Sequence, residues 1–330
     1  MKDEVSGGAP EVREAPSGVH ILPGAVHRPR MSDSRVLALQ PPTDEAFKPR
    51  ELIQITGHQQ LSLNARRAIT LLWHNAHRQG IEVGKDYVIE LSALRPDGHK
   101  GSEMVEEAIE TLMQTVLKVR FPGGVTRRVQ FLGGNDMDDP GRPSGLLTYS
   151  FDKRLVEMLR DSAIWGRITI PVLMAFSSKY AVSLYENACQ FVNLSHKTTE
   201  TFALSEFRAL MGVEEGRYAA FGALNKHVLK PAVEEVVALA PFNLVIGPQK
   251  TGRRVTHVCL GWWPKTEAEL RAAWDEAQRP RIGRRARIAG RVVHIAPHPS
   301  IHRTLRKARL AGRQKAGAGK AEDDQDDVLL

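Results

Sequence analysis

Lys250, Thr251, Arg253 and Arg254 lie around Gly252 in this 330-residue chain, and their clustering is the first pattern that could do chemistry. Strand-like runs flank them, Phe242 to Ile246 and Val255 to Trp263, so residues 247–254 read as the loop of a β-hairpin. Cations on such a loop reach phosphate oxygens or a nucleic-acid groove, although a soluble turn is the plainer use of the same residues. Upstream, Lys226 and Lys230 recur at helical spacing with Ala219 and Ala223, opposite Phe221, Leu224 and Val228. Small residues at 219, 220, 222 and 223 let a helix backbone approach base edges, Asn225 can bond a base, and Arg217 stands at the helix start. An ordinary solvated face has the same composition; the basic loop that follows favours a DNA-reading helix. Lys179, at the start of an earlier helix, is a weaker phosphate candidate.

Signatures of catalysis are missing. A strand-nicking enzyme needs two histidines separated by one residue to hold a metal, with a nucleophilic tyrosine, and no such histidine pair occurs. Tyr180 and Tyr185 fit the core better. His74 and His77 share a helix face without an evident third ligand, which favours a surface pair over a metal site. No phosphate-binding Gly-Lys-Ser or Gly-Lys-Thr loop is present. The expectation is a chain with no catalytic residues, no metal and no cofactor. Cys189 and Cys259 each sit within an apolar pattern and read as small buried hydrophobes.

Composition bounds the rest. The length suits two folded units plus tails, no apolar run is long enough to cross a membrane, and the acidic residues Asp3, Glu4, Glu11 and Glu14 argue against a secretion signal. A cytosolic protein without membrane contact is expected. The net charge is +8, but 13 of the 46 Lys and Arg lie in 279–320, a stretch without Asp or Glu. With five of the 38 acids at the extreme C-terminus, residues 1–278 hold 33 basic and 33 acidic side chains. The folded part is therefore neutral, and any DNA-binding face in it comes from local placement.

The elements that must position these residues follow from periodicity. Residues 1–50 are rich in Pro, Gly and Ser and read as a disordered tail; Met31 is a possible second translation start. A first unit over 51–172 has a helix over 61–79 ended by Gly80, a strand at Tyr87 to Leu91, a helix marked by Met104 to Val116, and a hairpin of Lys118 to Phe121 with Arg127 to Leu132. Gly145 to Phe151 adds a strand. A second unit over 173–270 repeats the order: a helix capped at Ser177-Ser178, a strand at Thr201 to Leu204, a short helix capped by Ser205 and stopped at Gly212, and a third helix from Tyr218 towards Leu239, kinked or broken at Pro231. Helix, helix, hairpin is the order of a winged helix, so the expected fold is α+β, two tandem winged-helix domains with disordered N- and C-terminal tails. The first unit's second long helix carries Glu103, Glu106, Glu107 and Glu110, which would repel DNA and suit a protein partner; Arg66, Arg67, Arg127 and Arg128 remain weaker backbone candidates. Residues 271–330 form a tail, basic then acidic, whose stretch from Arg279 to Lys320 reads as a disordered arm adding sequence-independent phosphate attraction.

Three segments give the sequence a family likeness. Ser178 to Glu186 (SKYAVSLYE), Phe221 through Val228 to Glu235, and Gly252 to Val258 (GRRVTHV) together resemble the plasmid replication initiators of the iteron-binding Rep3 (RepB-like) family, and Leu61-Ser62-Leu63-Asn64 resembles the opening of that family's first domain. The likeness spans 52–264. It implies a second domain that binds directly repeated sites in double-stranded origin DNA and a first domain that dimerises and assists on DNA. It further implies origin opening, work with the host replication initiator and replicative helicase, a monomer–dimer equilibrium, and dimers that repress the initiator's own gene. The terminal Gln325 to Leu330 faintly resembles peptides that dock on the sliding clamp, and a protease tag is the other reading. Two rival functions remain: a winged-helix transcriptional regulator without an initiation role, which shares nearly every feature, and a strand-nicking replication enzyme, whose histidine signature is missing.

Overall fold

The computed structural model describes residues 35–38, 40–54, 59–95, 102–120, 126–137, 145–160, 162, 164–194 and 196–292. The chain opens with α1 (Arg35–Ala38), β1 (Glu45–Pro49) and α2 (Arg50–Ile53). A first module follows: α3 (Leu63–Arg78), β2 (Asp86–Glu90), α4 (Leu91–Leu94), α5 (Glu103–Gln114), a ribbon of β3 (Val116–Arg120) and β4 (Thr126–Gln130), then β5 (Leu132–Met137) and β6 (Leu146–Phe151). A connector of α6 (Lys153–Arg160), β7 (Trp165–Thr169) and α7 (Ile170–Ala175) leads to the second module. That module comprises α8 (Lys179–Cys189), β8 (Thr199–Ala203), α9 (Leu204–Leu210), α10 (Phe221–Leu224), a π-helical turn (Asn225–Leu229), α11 (Lys230–Leu239), β9 (Phe242–Thr251) and β10 (Arg254–Pro264). Helices α12 (Glu267–Gln278) and α13 (Arg284–Val292) complete the described chain.

The two modules are the same winged-helix design. Each folds a three-stranded antiparallel sheet in which the strand nearest the N-terminus pairs with the last one: β2-β6-β5 in the first and β8-β10-β9 in the second. Each also has its own apolar core. Leu72, Trp73, Leu112, Leu147 and Leu155 are buried in the first, and Leu184, Tyr185, Leu224, Val236 and Leu260 in the second. Ser62 and Ser178 start the leading helices by accepting from Ala65 N and Tyr180 N, both at 3.2 Å, which satisfies amides that the first helical turn leaves unpaired. Tyr180 packs half-buried against the second core, which also encloses Tyr185 and Cys189; Cys259 is buried as well, and both cysteines are free thiols.

Several boundaries differ from the sequence expectation. Order begins before residue 51, because β1 pairs antiparallel with β7 from Glu45↔Thr169 to Pro49↔Trp165. This ribbon spans both cores: Ala46 and Ile168 belong to the second, while Trp165 packs on the first. Gly166 allows the close packing, since a Cβ there would lie 2.6 Å from Ile53 Cδ1. The ribbon expected as the first unit's wing, β3–β4, is a separate two-stranded piece, and the strand pair that corresponds to a wing is β5–β6. Ser205 does not cap α9; the N-cap is Ala203, without a side-chain hydrogen bond. The expected basic tail is partly structured too. Within Arg279–Val292, α13 packs against α11, and the carboxylate of Glu276 (1% exposed) meets Arg287 at 2.8 Å, Arg284 at 3.5 Å and Arg279 at 3.7 Å. The arm beyond residue 292, the terminal peptide, Met31 and the rest of the N-terminal tail to residue 34 lie outside the described residues.

A buried polar seam joins the modules. Lys48 Nζ donates to Glu186 Oε1 at 2.8 Å and to Thr70 Oγ1 at 2.9 Å, and Thr70 Oγ1 donates to the same carboxylate oxygen at 2.7 Å. Arg66, brought down to about 10 chiefly by burial, donates to Ser183 Oγ at 2.6 Å, and Arg67 donates to the carbonyls of Met174, at 2.9 Å, and Phe176. Arg66 and Arg67 are therefore not free for a DNA backbone, because their guanidinium groups are engaged inside the protein. His74 and His77 are likewise buried and not a surface pair: burial lowers the His74 pKa, and His77 Nε2 lies 3.1 Å from the Val36 carbonyl.

Candidate nucleic-acid interface

Packing and local strain both shape the third helix of the second module. Leu224 and Val228 are fully buried and Phe221 half-buried, so the opposite side, with Ala219, Gly222, Lys226, His227 and Lys230, faces solvent. Pro231 would break an ordinary helix, since it lacks an amide proton and its ring crowds the carbonyl one turn back. The structure absorbs it without ending the helix: the turn before it widens to the π form over Asn225–Leu229, and α11 continues to Leu239. The widened turn carries Asn225, Lys226 and His227 at the middle of the exposed face.

The turn into this helix is held from outside. Tyr218 is the one described residue other than glycine with a positive φ (53°), a conformation that costs about 1–3 kcal/mol and persists only when neighbours fix it. Arg208 on α9 fixes it by donating to the Tyr218 carbonyl at 2.8 Å and to the Arg217 carbonyl. The Tyr218 ring stacks on His227 with centroids 5.6 Å apart and planes 21° from parallel. Arg217 lies over the same ring at 5.4 Å and meets Glu214 at 3.5 Å.

The wing is tighter than expected. Instead of a loop over 247–254, β9 and β10 pair up to Thr251↔Arg254 and leave a two-residue turn, Gly252-Arg253. Gly252 has φ +61, which a two-residue hairpin demands at its first turn position. Lys250, Thr251, Arg253 and Arg254 are all exposed on this tip, and Thr251 Oγ1 lies 3.0 Å from Thr256 Oγ1. Among the described residues, Lys226, Lys230, Lys250, Arg253 and Arg254 form no ion pair. Five cations without counter-charges, on a helix and the hairpin that follows it, make a surface suited to a polyanion.

Sequence reasoning placed most of these residues. Lys226, Lys230 and the half-buried Asn225 share the helix; Arg217 stands exposed before it; Lys250, Thr251, Arg253 and Arg254 share the wing tip. Lys179 stands apart. Half-buried, it donates to the Gln59 carbonyl at 3.0 Å beside the seam between modules, and burial lowers its pKa. What the sequence reading missed is the Tyr218–His227 pair, since the two lie nine positions apart across a turn and no periodicity links them. No group of three His, Cys, Asp or Glu suited to a metal occurs among the described residues.

Fold and surface together define a tandem winged-helix protein with a basic third helix and wing in its second module. Residues 203–262, within the second module, match the family described as Rep3_C, "Initiator Rep protein, WH2". Among solved structures, the chain is similar to a Pi initiator protein crystallised in complex with iteron DNA. The likeness covers 68% of this chain and 98% of that one at 15% identity, with a TM-score of 0.51. The WH1 domain of MSBI1.176, a replication protein isolated from a multiple sclerosis patient, also matches over 31% of this chain and 84% of its own, with 14% identity and a TM-score of 0.24. No curated protein sequence matches the chain. No helix among the described residues is long and apolar enough to cross a membrane.

Proposed function

We propose that this chain is a plasmid replication initiator that binds directly repeated sites in double-stranded origin DNA through its second module. The observation that carries the reading is the set of unpaired cations on the third helix and wing of a module that matches the initiator WH2 family. In this reading the helix around Lys226 enters the major groove, with Asn225 and Lys226 at base edges. Lys230 and Arg217 meet the backbone, and Lys250, Thr251, Arg253 and Arg254 reach phosphates or the neighbouring minor groove. Lys179, turned towards the seam, contributes at most through the amino end of its helix. The domains are divided as 1–50, 51–172, 173–270 and 271–330, with the inner boundaries softened by β1 and by α12–α13.

The first module, with Glu103, Glu106, Glu107 and Glu110 exposed on α5, meets protein: a second copy, the host initiator or the replicative helicase. DNA binding, origin opening and helicase recruitment need no covalent chemistry from the chain, and autorepression by dimers follows where the same sites overlap its promoter. Any use of the sliding clamp would fall to Gln325 to Leu330.

Footprinting on the DNA that flanks the gene tests the reading. Protection of several short direct repeats beside an A·T-rich tract is expected, lost or weakened in Lys226→Ala and Arg253→Ala. A base-edge contact costs about 1–3 kcal/mol and relaxes specificity, whereas a phosphate contact weakens all sites alike. Protection of a lone inverted repeat would make the chain a transcriptional regulator. Metal-dependent nicking of supercoiled origin DNA would make it an enzyme.

A further inference from the structure

His227 stands out on the exposed face of the third helix. It is exposed at the centre of the π-turn, and its ring makes no hydrogen bond among the described residues. Both ring nitrogens are thus available to a partner, one as donor and one as acceptor in the neutral form, a combination that suits a base edge better than a phosphate. Its ring stacks on Tyr218, which adopts a left-handed backbone that side chains avoid and is held there by Arg208. Strain of this kind is kept where the surroundings over-determine it: the Tyr218 ring packs against the second core and also lies beneath the imidazole on the exposed face of the helix.

We propose that His227 is a base-reading residue of the third helix and that Tyr218 is its positioning residue, the stacked ring fixing the direction in which the imidazole meets the DNA. This inference rests on the DNA-reading function proposed above and deepens it by naming a specificity determinant. Lys230 then supplies attraction, and His227 adds to the discrimination of its neighbours Asn225 and Lys226.

The test is selection of binding sites from a randomised duplex library by the full chain, with thermal melting of each variant. The wild type is expected to select a motif. His227→Ala should flatten the preference at one or two adjacent base pairs by about tenfold, with unchanged affinity for a non-cognate duplex and an unchanged salt slope. Tyr218→Gly accepts the left-handed backbone without strain while removing the ring, so it should fold and flatten the same positions; Tyr218→Phe keeps the stack and should keep the motif. A His227→Ala chain that selects the wild-type motif, or that loses affinity for all duplexes equally, overturns the base-reading role. An unaltered motif in Tyr218→Gly overturns the positioning role. A wild type that selects no motif would instead overturn the DNA-reading function itself, so the two failures are distinguishable.

Discussion

In the second module, α10, the π-turn and α11 present Lys226, His227 and Lys230 to solvent; in the first, α5 occupies the matching place and presents Glu103, Glu106, Glu107 and Glu110. Helix α5 packs on α3 as α11 packs on α8, and both sheets have the same strand order. Apart from the β3–β4 ribbon and the π-turn, the two modules follow one chain path, and their matching helices carry opposite surface charge. At a DNA surface, that difference outweighs the shared fold: each phosphate neutralised releases counterions, whereas a glutamate facing a phosphate is repelled. Architecture alone would assign both modules to DNA. Charge separates them, and in the proposed reading the second meets DNA and the first meets protein.

The comparison presupposes that the modules stay joined, and the strongest way to break it is at the seam. Glu186→Ala would leave the Lys48 ammonium buried without its carboxylate, and the expected loss is about 3–5 kcal/mol in denaturant unfolding. A loss below about 1 kcal/mol, the scale of an exposed pair, would show that water reaches the seam and that the modules separate readily in solution.

A smaller effect sharpens the wing's share. Arg253→Ala with Arg254→Ala should lower the slope of log affinity against log salt by about 2, one unit for each phosphate no longer neutralised. An unchanged slope, read from filter binding at several salt concentrations, would remove the wing tip from the interface.

The smallest effect concerns the segment between modules. Glu235 accepts the Ser177 amide at 2.5 Å, and burial raises its pKa above the ordinary carboxylate value, an effect that the hydrogen bonds from Ser177 and, less, Arg284 and Arg67 only partly offset. Stability contributed by a raised carboxyl is present below its unfolded pKa and is lost as pH rises through the folded one. Glu235→Gln keeps an acceptor and removes the charge, so its melting temperature should gain on the wild type as pH rises from 4 to 7. A difference that stays constant with pH would mean that this carboxyl is not raised.

How far the sequence carried the fold depends on what holds each element. Helix α3 was legible from the apolar spacing of Ala65, Ile69 and Leu72, and α8 because apolar spacing coincides with a serine cap at Ser178. Strand β5 was not, since Gly133-Gly134-Asn135-Asp136 has poor strand propensity and pairs only because β6 lies beside it. Arg66 and Arg67 looked like surface cations because their partners, Ser183 and the Met174 and Phe176 carbonyls, lie more than 100 residues away. Arg284 was hidden similarly: its partner Glu276 is close in sequence, but only the packing of α13 on α11 buries the pair. The candidate interface was more legible, because unpaired surface cations need no distant partner to be recognised. The Tyr218–His227 stack was not, since it depends on one backbone angle.

Charge reversal in the two matching helices tests the division of labour most directly. In full-length protein titrated onto the footprinted duplex, Lys226→Glu with Lys230→Glu should weaken binding by about 100-fold or more, given about 1–3 kcal/mol for each contact. Glu106→Lys with Glu110→Lys should leave the footprint in place and tighten binding slightly, if at all. Equal loss from both pairs, or a footprint lost only when α5 is altered, would contradict the assignment of DNA reading to the second module.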